Sequence, residues 1–157
     1  MDNSPVISLV IVDFFKAERV VDNVRMALKQ KGDFSLQVVV IDNSCDPRNK
    51  RILEKLPKSD NVHVLYNNNN CGYVAACNEG VSLFSSDYVF LVNPDIAWKA
   101  DTTITAILNK FASDERIGVI GTRQINDDGS TPDTVRRFPD LIAQVARRTF
   151  LRTLPLV

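Results

Sequence analysis

The sequence predicts an α/β fold in which a mostly parallel, doubly wound sheet is flanked by helices. Three observations carry that prediction. Short apolar runs rich in β-branched and aromatic residues recur at 6–12, 36–41, 62–66 and 88–92, the pattern of strands buried on both faces. Segments of helical periodicity separate them, as parallel strands joined by crossover helices require. Three of the runs stop abruptly at polar groups, Asp13, Asp42 and Asn93-Pro94-Asp95. In a parallel sheet those groups share one edge, the edge at which open α/β sheets bind ligands.

Taken in order, Val6-Ile7-Ser8-Leu9-Val10-Ile11-Val12 is a strong strand ending at Asp13. From Glu18 to Lys31, Val21, Val24, Ala27 and Leu28 fall at helical spacing, with Gly32 as the stop. Leu36 to Ile41 is a second buried strand, running into Asp42-Asn43-Ser44, and Ile52, Leu53 and Leu56 mark a short helix before Pro57. A third strand, Val62 to Tyr66, opens into the loop Asn67 to Gly72. Between Tyr73 and Phe84 one helical stripe gathers Tyr73, Cys77, Gly80, Val81 and Phe84, so this helix packs on the sheet. Glycine inside a helix costs about 1 kcal/mol relative to alanine, and Gly80 is expected to repay it by allowing close helix–sheet approach. Tyr88 to Val92 is the fourth strand. Pro94 cannot donate to a ladder, so it ends that strand and stiffens the turn that aims Asp95. Ile104, Ile107, Leu108 and Phe111 then mark a helix, Ile117 to Gly121 a further strand, and Asn126-Asp127-Asp128-Gly129-Ser130 a turn.

Composition narrows the chemistry. The 157 residues suit one domain, which buries roughly 70% of its unfolded surface. Nineteen basic residues balance nineteen acidic ones, so nothing in the overall charge points to nucleic acid. Three cysteines without a C-x-x-C pair and a single histidine, His63, argue against a disulfide framework or a zinc site and for a reducing cytoplasm. No apolar run approaches the roughly 20 residues that span a bilayer, so the chain is expected to be soluble and at most peripheral at a membrane. There is no G-x-G-x-x-G after the first strand and no G-x-x-x-x-G-K-[ST], which removes the dinucleotide and P-loop phosphate cradles. His63 lies inside a strand and away from any nucleophile pattern, against a catalytic triad.

Acids gathered on one edge call for a cation or a ligand with donors. One carboxylate completed by two phosphate oxygens and waters is an ordinary shell for Mg²⁺ or Mn²⁺. On this reading Asp95 faces a metal-bound nucleoside diphosphate and Asp42 accepts a hydrogen bond from a base or ribose. Asp13, taken alone, reads as a cap or turn residue.

The ordered set of motifs is more specific than any one of them. It comprises Val40-Ile41-Asp42-Asn43-Ser44, Asn70-x-Gly72-Tyr73-x-Ala75-Ala76-x-Asn78-x-Gly80, the strand ending Asn93-Pro94-Asp95, Asp128-Gly129-Ser130 and Arg136-Arg137-Phe138-Pro139. Together these resemble the family 2 glycosyltransferases, particularly the rhamnosyltransferase-like branch, over nearly the whole chain. The resemblance implies a GT-A type (Rossmann-like) three-layer sandwich that binds a nucleotide-diphosphate sugar, UDP- or dTDP-linked, and transfers the sugar with inversion to a glycan or polysaccharide acceptor. It implies nucleotide-sugar contacts from Asp13, Asp42, Asn43, Gly72, Asn78, Asn93 and Asp95. Asp42 would meet uracil or thymine, and Asp95 would hold the divalent metal where a D-x-D motif usually stands. The sequence departs from the family after the first strand, where Thr-Tyr-Asn is replaced by Asp13-Phe14-Phe15; there Asp13 or backbone groups are expected to substitute. The family's carboxylate base lies well beyond a motif like Arg136–Pro139, so it is expected beyond Val157, which makes the chain the donor-binding part of a longer transferase.

The expected division is a nucleotide-sugar-binding core over 1–135 and a basic amphipathic segment over 136–157 that begins the acceptor-binding half. Arg136, Arg137, Arg147, Arg148 and Arg152 are opposed there only by Asp140, beside an apolar stripe of Leu141, Ile142, Val145 and Ala146. That segment suits a helix covering the sheet, a dimer contact, or peripheral attachment to the inner face of a membrane. The alternative to an enzyme is a non-catalytic module that binds sugar nucleotides or a partner.

Overall fold

The computed structural model describes residues 4–126 and 128–131. The chain divides into two compact units, with the boundary between Gly118 and Val119. The first carries eight elements: β1 (Val6–Asp13), α1 (Ala17–Ala27), β2 (Ser35–Asp42), α2 (Pro47–Leu53), β3 (Val62–Tyr66), α3 (Tyr73–Ser82), β4 (Tyr88–Leu91) and α4 (Thr103–Ala112). The strands form one parallel sheet of order β3-β2-β1-β4.

Side chains alternate across each strand, so β1 and β2 supply both faces of the core. On one face Leu9, Ile11, Val38 and Val40 pack against Val20, Val21 and Val24 of α1 and Leu53 of α2. On the other, Val10, Val12, Val39 and Ile41 pack against Ala76 and Cys77 of α3. Helices on both faces of a parallel sheet are the predicted α/β arrangement. The reversal follows from connectivity: β1 to β3 wind in one direction, and the chain then crosses by α3 to place β4 on the far side of β1. Right-handed crossovers made in opposite directions put their helices on opposite faces.

The close approach expected at Gly80 is present. A Cβ at Gly80 would lie 2.5 Å from Val10 Cγ1, so only glycine lets α3 settle onto β1. Gly32 is different. Helix α1 ends at Ala27, and a Cβ at Gly32 would fall 2.1 Å from Thr105 Oγ1. Gly32 therefore serves contact with α4, where Thr105 Oγ1 donates to Lys31 O at 2.7 Å, rather than ending α1.

Two further expectations are corrected. β4 is not buried on both faces: Phe90 packs with the α1–α2 side, but Val89 and Leu91 are 42% and 54% exposed. The reason is that α3 lies over β1 and β2 and stops short of β4. Residues 117–121 form no strand, and Val119 is 89% exposed. An apolar run becomes a strand only when a neighbour takes its backbone hydrogen bonds, and 117–121 has no such neighbour among the described residues.

In the second unit the expected turn is present. Gly129 adopts φ +83° and donates to Asn126 O at 2.9 Å, while Asn126 N–H donates to Ser130 O at 2.8 Å. The motif Arg136–Pro139 and the basic segment 136–157 lie outside the described residues. No helix among the described residues is long and apolar enough to cross a membrane.

Gly80→Ala is expected to destabilise the chain by about 1–3 kcal/mol, the usual cost of overpacking a close-fitted interior. Denaturant unfolding measures it, and an unchanged midpoint would mean that α3 does not need this approach.

Candidate functional site

The strand order reverses beside β1, which makes the C-terminal ends of β1 and β4 the switch point where an open sheet leaves a crevice. Asp13 and Asp42 are direct cross-strand partners at the ends of β1 and β2. Asp95 follows β4, on the other side of β1. β2 and β4 are two strand spacings apart, roughly 10 Å, with β1 and Asp13 between them, so Asp42 and the turn carrying Asp95 belong to strands on opposite sides of β1.

The two paired acids are sealed in and share a donor. Asn49 Nδ2 donates to Asp13 Oδ2 at 2.6 Å and to Asp42 Oδ1 at 3.0 Å. Asp13 is completely buried, and its Oδ1 accepts the Lys16 N–H at 2.8 Å. Burial pushes the Asp13 carboxyl above its usual range; the Asn49 and Lys16 hydrogen bonds oppose that shift, and the Asp42 charge adds to it. Asp13 thus acts as the turn residue it resembles, tying β1 to the start of α1. Asp42 Oδ1 also accepts Ser44 N–H at 2.9 Å and Ser44 Oγ–H at 2.6 Å. Its Oδ2 has no hydrogen bond among the described residues, although the residue as a whole is only 3% exposed.

Asn43 ties β2 to the asparagine loop. Its Nδ2 donates to Asn70 Oδ1 at 3.1 Å and Gly72 O at 3.3 Å, and its Oδ1 accepts Asn67 Nδ2 at 3.0 Å. Its amide is thereby occupied within the protein. Gly72 precedes α3 at φ +83°, backbone that favours glycine. Asn78 is exposed on the outer side of α3. Phe14 and Phe15, 51% and 57% exposed, meet edge to face with centroids 4.7 Å apart. Phe15 has φ +58°, a strained setting for a bulky residue of the kind found at functional edges.

Asp95 stands on a clamped turn. Buried Asn23 of α1 donates to Asn93 O at 2.9 Å and accepts Trp98 Nε1–H at 2.7 Å, and Ile96 N–H closes the turn on Asn93 O at 3.2 Å. The Asp95 carboxylate receives Lys16 Nζ at 2.7 Å, both side chains being about half exposed. The Lys16 hydrogen bond holds the Asp95 carboxyl below its usual range, with the charge of Arg19 helping. Asp95 is therefore ionised at neutral pH and open to solvent on one side.

The sequence profile of Glycosyl transferase family 2 matches residues 8–155. The chain belongs to glycosyl transferase family 2. No curated protein sequence matches it. Among solved structures it is similar to the mannosyltransferase PcManGT from Pyrobaculum calidifontis in complex with GDP-Man and Mn²⁺ (TM-score 0.62, 16% identity, covering 69% of this chain and 33% of that one). It is also similar to S. aureus TarS 1-349 (TM-score 0.57, 18% identity, 68% and 32%) and to the same protein in complex with UDP (TM-score 0.55, 18% identity, 68% and 32%). These likenesses establish a GT-A type fold for this family 2 chain, which spans about a third of the length of those chains.

Four contributors escaped sequence reading. Asn49 sits on a helix that starts at Pro47 behind Asp46, whose Oδ1 accepts Arg48 and Asn49 N–H; an Asp-Pro start signals such a helix, and reading it would have placed Asn49 beneath the acids. Asn23 interrupts the apolar stripe of α1, which is itself a signal for a buried amide. Ser44 follows Asp42 directly, a spacing at which a hydroxyl reaches back to a carboxylate. Lys16 carries no sequence signal.

Asn49→Ala is expected to destabilise the fold by about 2–3 kcal/mol at pH 7, because two buried carboxylates lose their common donor. The loss raises the Asp13 carboxyl further in the folded state. A raised carboxyl contributes stability below its unfolded value near 3.8 and loses it as pH rises through the folded value, so the penalty should shrink from pH 7 to pH 4. Denaturant titrations at both pH values check it; a penalty independent of pH would mean that Asn49 does not serve the acid pair.

Proposed function

We propose that this chain is the donor-binding portion of a glycosyltransferase that transfers a sugar from a nucleoside-diphosphate donor to a glycan acceptor, with metal assistance and inversion. The observation that carries the reading is that the C-terminal sheet edge holds both Asp42, whose Oδ2 accepts no hydrogen bond among the described residues, and Asp95, an ionised and half-exposed carboxylate. Asp42 Oδ2 suits the imide N–H of uracil or thymine. The exposed Phe14–Phe15 pair offers an aromatic surface for a base, in place of the family's Thr-Tyr-Asn. Gly72 and Asn93 belong to the same edge as loop and turn, and Asn78 is offered to the ligand from the exposed side of α3, whereas the side chains of Asp13 and Asn43 hold the edge in shape.

The residues fit a divalent cation of a particular kind. Among the described residues no three His, Cys, Asp or Glu side chains form a cage. Mg²⁺ and Mn²⁺ need none when a diphosphate supplies oxygens beside a single carboxylate. Asp95 would hold that cation, which when bound would neutralise charge on the departing nucleoside diphosphate. The chain's own part is to keep Asp95 ionised and fixed before the cation arrives: Asn23 and Trp98 hold its turn, and Lys16, with the charge of Arg19, favours its ionised form. This assignment leaves activation of the acceptor hydroxyl to a group other than those named.

The mannosyltransferase was solved with GDP-Man and Mn²⁺, and TarS with UDP; both support a nucleotide-sugar ligand and the first a divalent metal. For the finer assignment we favour rhamnose from a UDP- or dTDP-linked donor and a polysaccharide acceptor, on the motif resemblance to the rhamnosyltransferase-like branch. We further propose 1–135 as the donor-binding core and 136–157 as the start of the acceptor half, acting in the cytoplasm, with the basic segment meeting a membrane or a second copy.

Calorimetry with UDP or dTDP tests the reading. Mn²⁺ should strengthen binding by an order of magnitude or more, as charge-assisted contacts do, and Asp95→Ala should remove that increment. An unchanged increment in Asp95→Ala would end the metal assignment.

A further inference from the structure

Lys16 reaches Asp95 from a fixed base. Its N–H is held by Asp13 Oδ1 at 2.8 Å, and its carbonyl accepts Val20 N–H at 3.0 Å in the first turn of α1. Phe15, at φ +58°, turns the chain immediately before it. Only the side chain remains to move, and it crosses from the end of β1 to the turn after β4, where Nζ meets Asp95 Oδ2 at 2.7 Å. The turn does not need this contact. Asn23 holds the Asn93 carbonyl and Trp98 holds Asn23, so the loop is fastened from beneath. An ion pair with both partners about half exposed also contributes little to folding. The pairing is therefore one that a stronger cation can displace.

A divalent ion on Asp95 and an ammonium 2.7 Å from its Oδ2 repel each other, so the two compete for the carboxylate. The displaced ammonium needs a new anion within reach of a fixed backbone. On the reading of Asp95 as the metal's carboxylate, the diphosphate brought by that metal is such an anion. We propose that Lys16 is a resident counter-cation: it occupies Asp95 while the crevice is empty, yields the carboxylate to the divalent ion, and then binds the diphosphate oxygens of the nucleotide. It would thus discourage metal without nucleotide and favour the two together. Arg19, one turn further along α1, also favours the ionised form of Asp95 through its charge.

Calorimetry on the 157-residue chain tests this with Mn²⁺ alone, and then with UDP, dTDP and GDP at saturating Mn²⁺. Lys16→Met should bind Mn²⁺ alone roughly two- to fivefold more tightly, the worth of the lost surface pair. The same variant should bind the diphosphates roughly tenfold more weakly, through loss of a charge-assisted contact. Lys16→Arg should stay near the parent in both. A lysine with a merely structural role would not move the two affinities in opposite directions. In an Asp95→Ala background, Lys16→Met should no longer tighten Mn²⁺ binding. If Asp95→Ala removes metal binding but Lys16→Met fails to tighten Mn²⁺ or fails to weaken the diphosphate, the counter-cation role is overturned and the metal reading stands. If Asp95→Ala leaves metal binding intact, or no diphosphate binds, both are overturned.

Discussion

The pairing of β1 with β2 on one side and β4 on the other is the constraint on which the rest depends. It reverses the direction of winding, sends α1 and α2 to one face and α3 to the other, and opens a crevice where the reversal occurs. In the β1–β2 register Asp13 faces Asp42, so a shift of one residue would remove both the acid pair and its shared Asn49 donor. Slippage is opposed by the core itself, because it would exchange the residues facing α1 with those facing α3.

Around that pairing the protein divides its polar groups between holding and binding. Asp13, Asn43, Asn49 and Asn23 spend their hydrogen bonds inside, fastening loops that would otherwise leave buried groups unpaired. Asp42 Oδ2 accepts no hydrogen bond among the described residues and the Asp95 carboxylate is half exposed, and these are the oxygens we propose for a ligand. An acid half satisfied at an edge costs some stability, but its position is fixed before a ligand arrives, so less is lost in ordering it on binding.

Much of this was legible in sequence because the signals were dense. The runs at 6–12, 36–41 and 62–66 became β1, β2 and β3 almost unchanged, and Gly80 marked the helix that presses closest to the sheet. The failures have physical causes. Leu91 and Val89 look like core residues, yet α3 stops short of them, and no strand pattern records how far a helix extends across a sheet. Residues 117–121 have strand composition without a strand neighbour among the described residues. At the site, Asp42 and Asp95 were visible because acids at strand ends are conspicuous. Lys16 was not visible, since an exposed lysine opening a helix is ordinary until the fold brings a second strand end beside it. Asn43 is an expected ligand contact whose side-chain amide also bonds Asn67, Asn70 and Gly72, and an amide in a loop gives no sign in sequence of such partners.

The central claim is that Asp42 and Asp95 grip the two ends of one metal-bound nucleoside diphosphate. Crystals of the chain grown with Mn²⁺ and UDP, with data collected near the manganese absorption edge, test it most directly. The account predicts an anomalous peak within about 2.0–2.3 Å of an Asp95 carboxylate oxygen, a usual range for a hard divalent cation on oxygen, with the base facing Asp42 Oδ2 and Lys16 turned away from Asp95. A peak remote from Asp95, or a base bound away from the β2 edge, would contradict it.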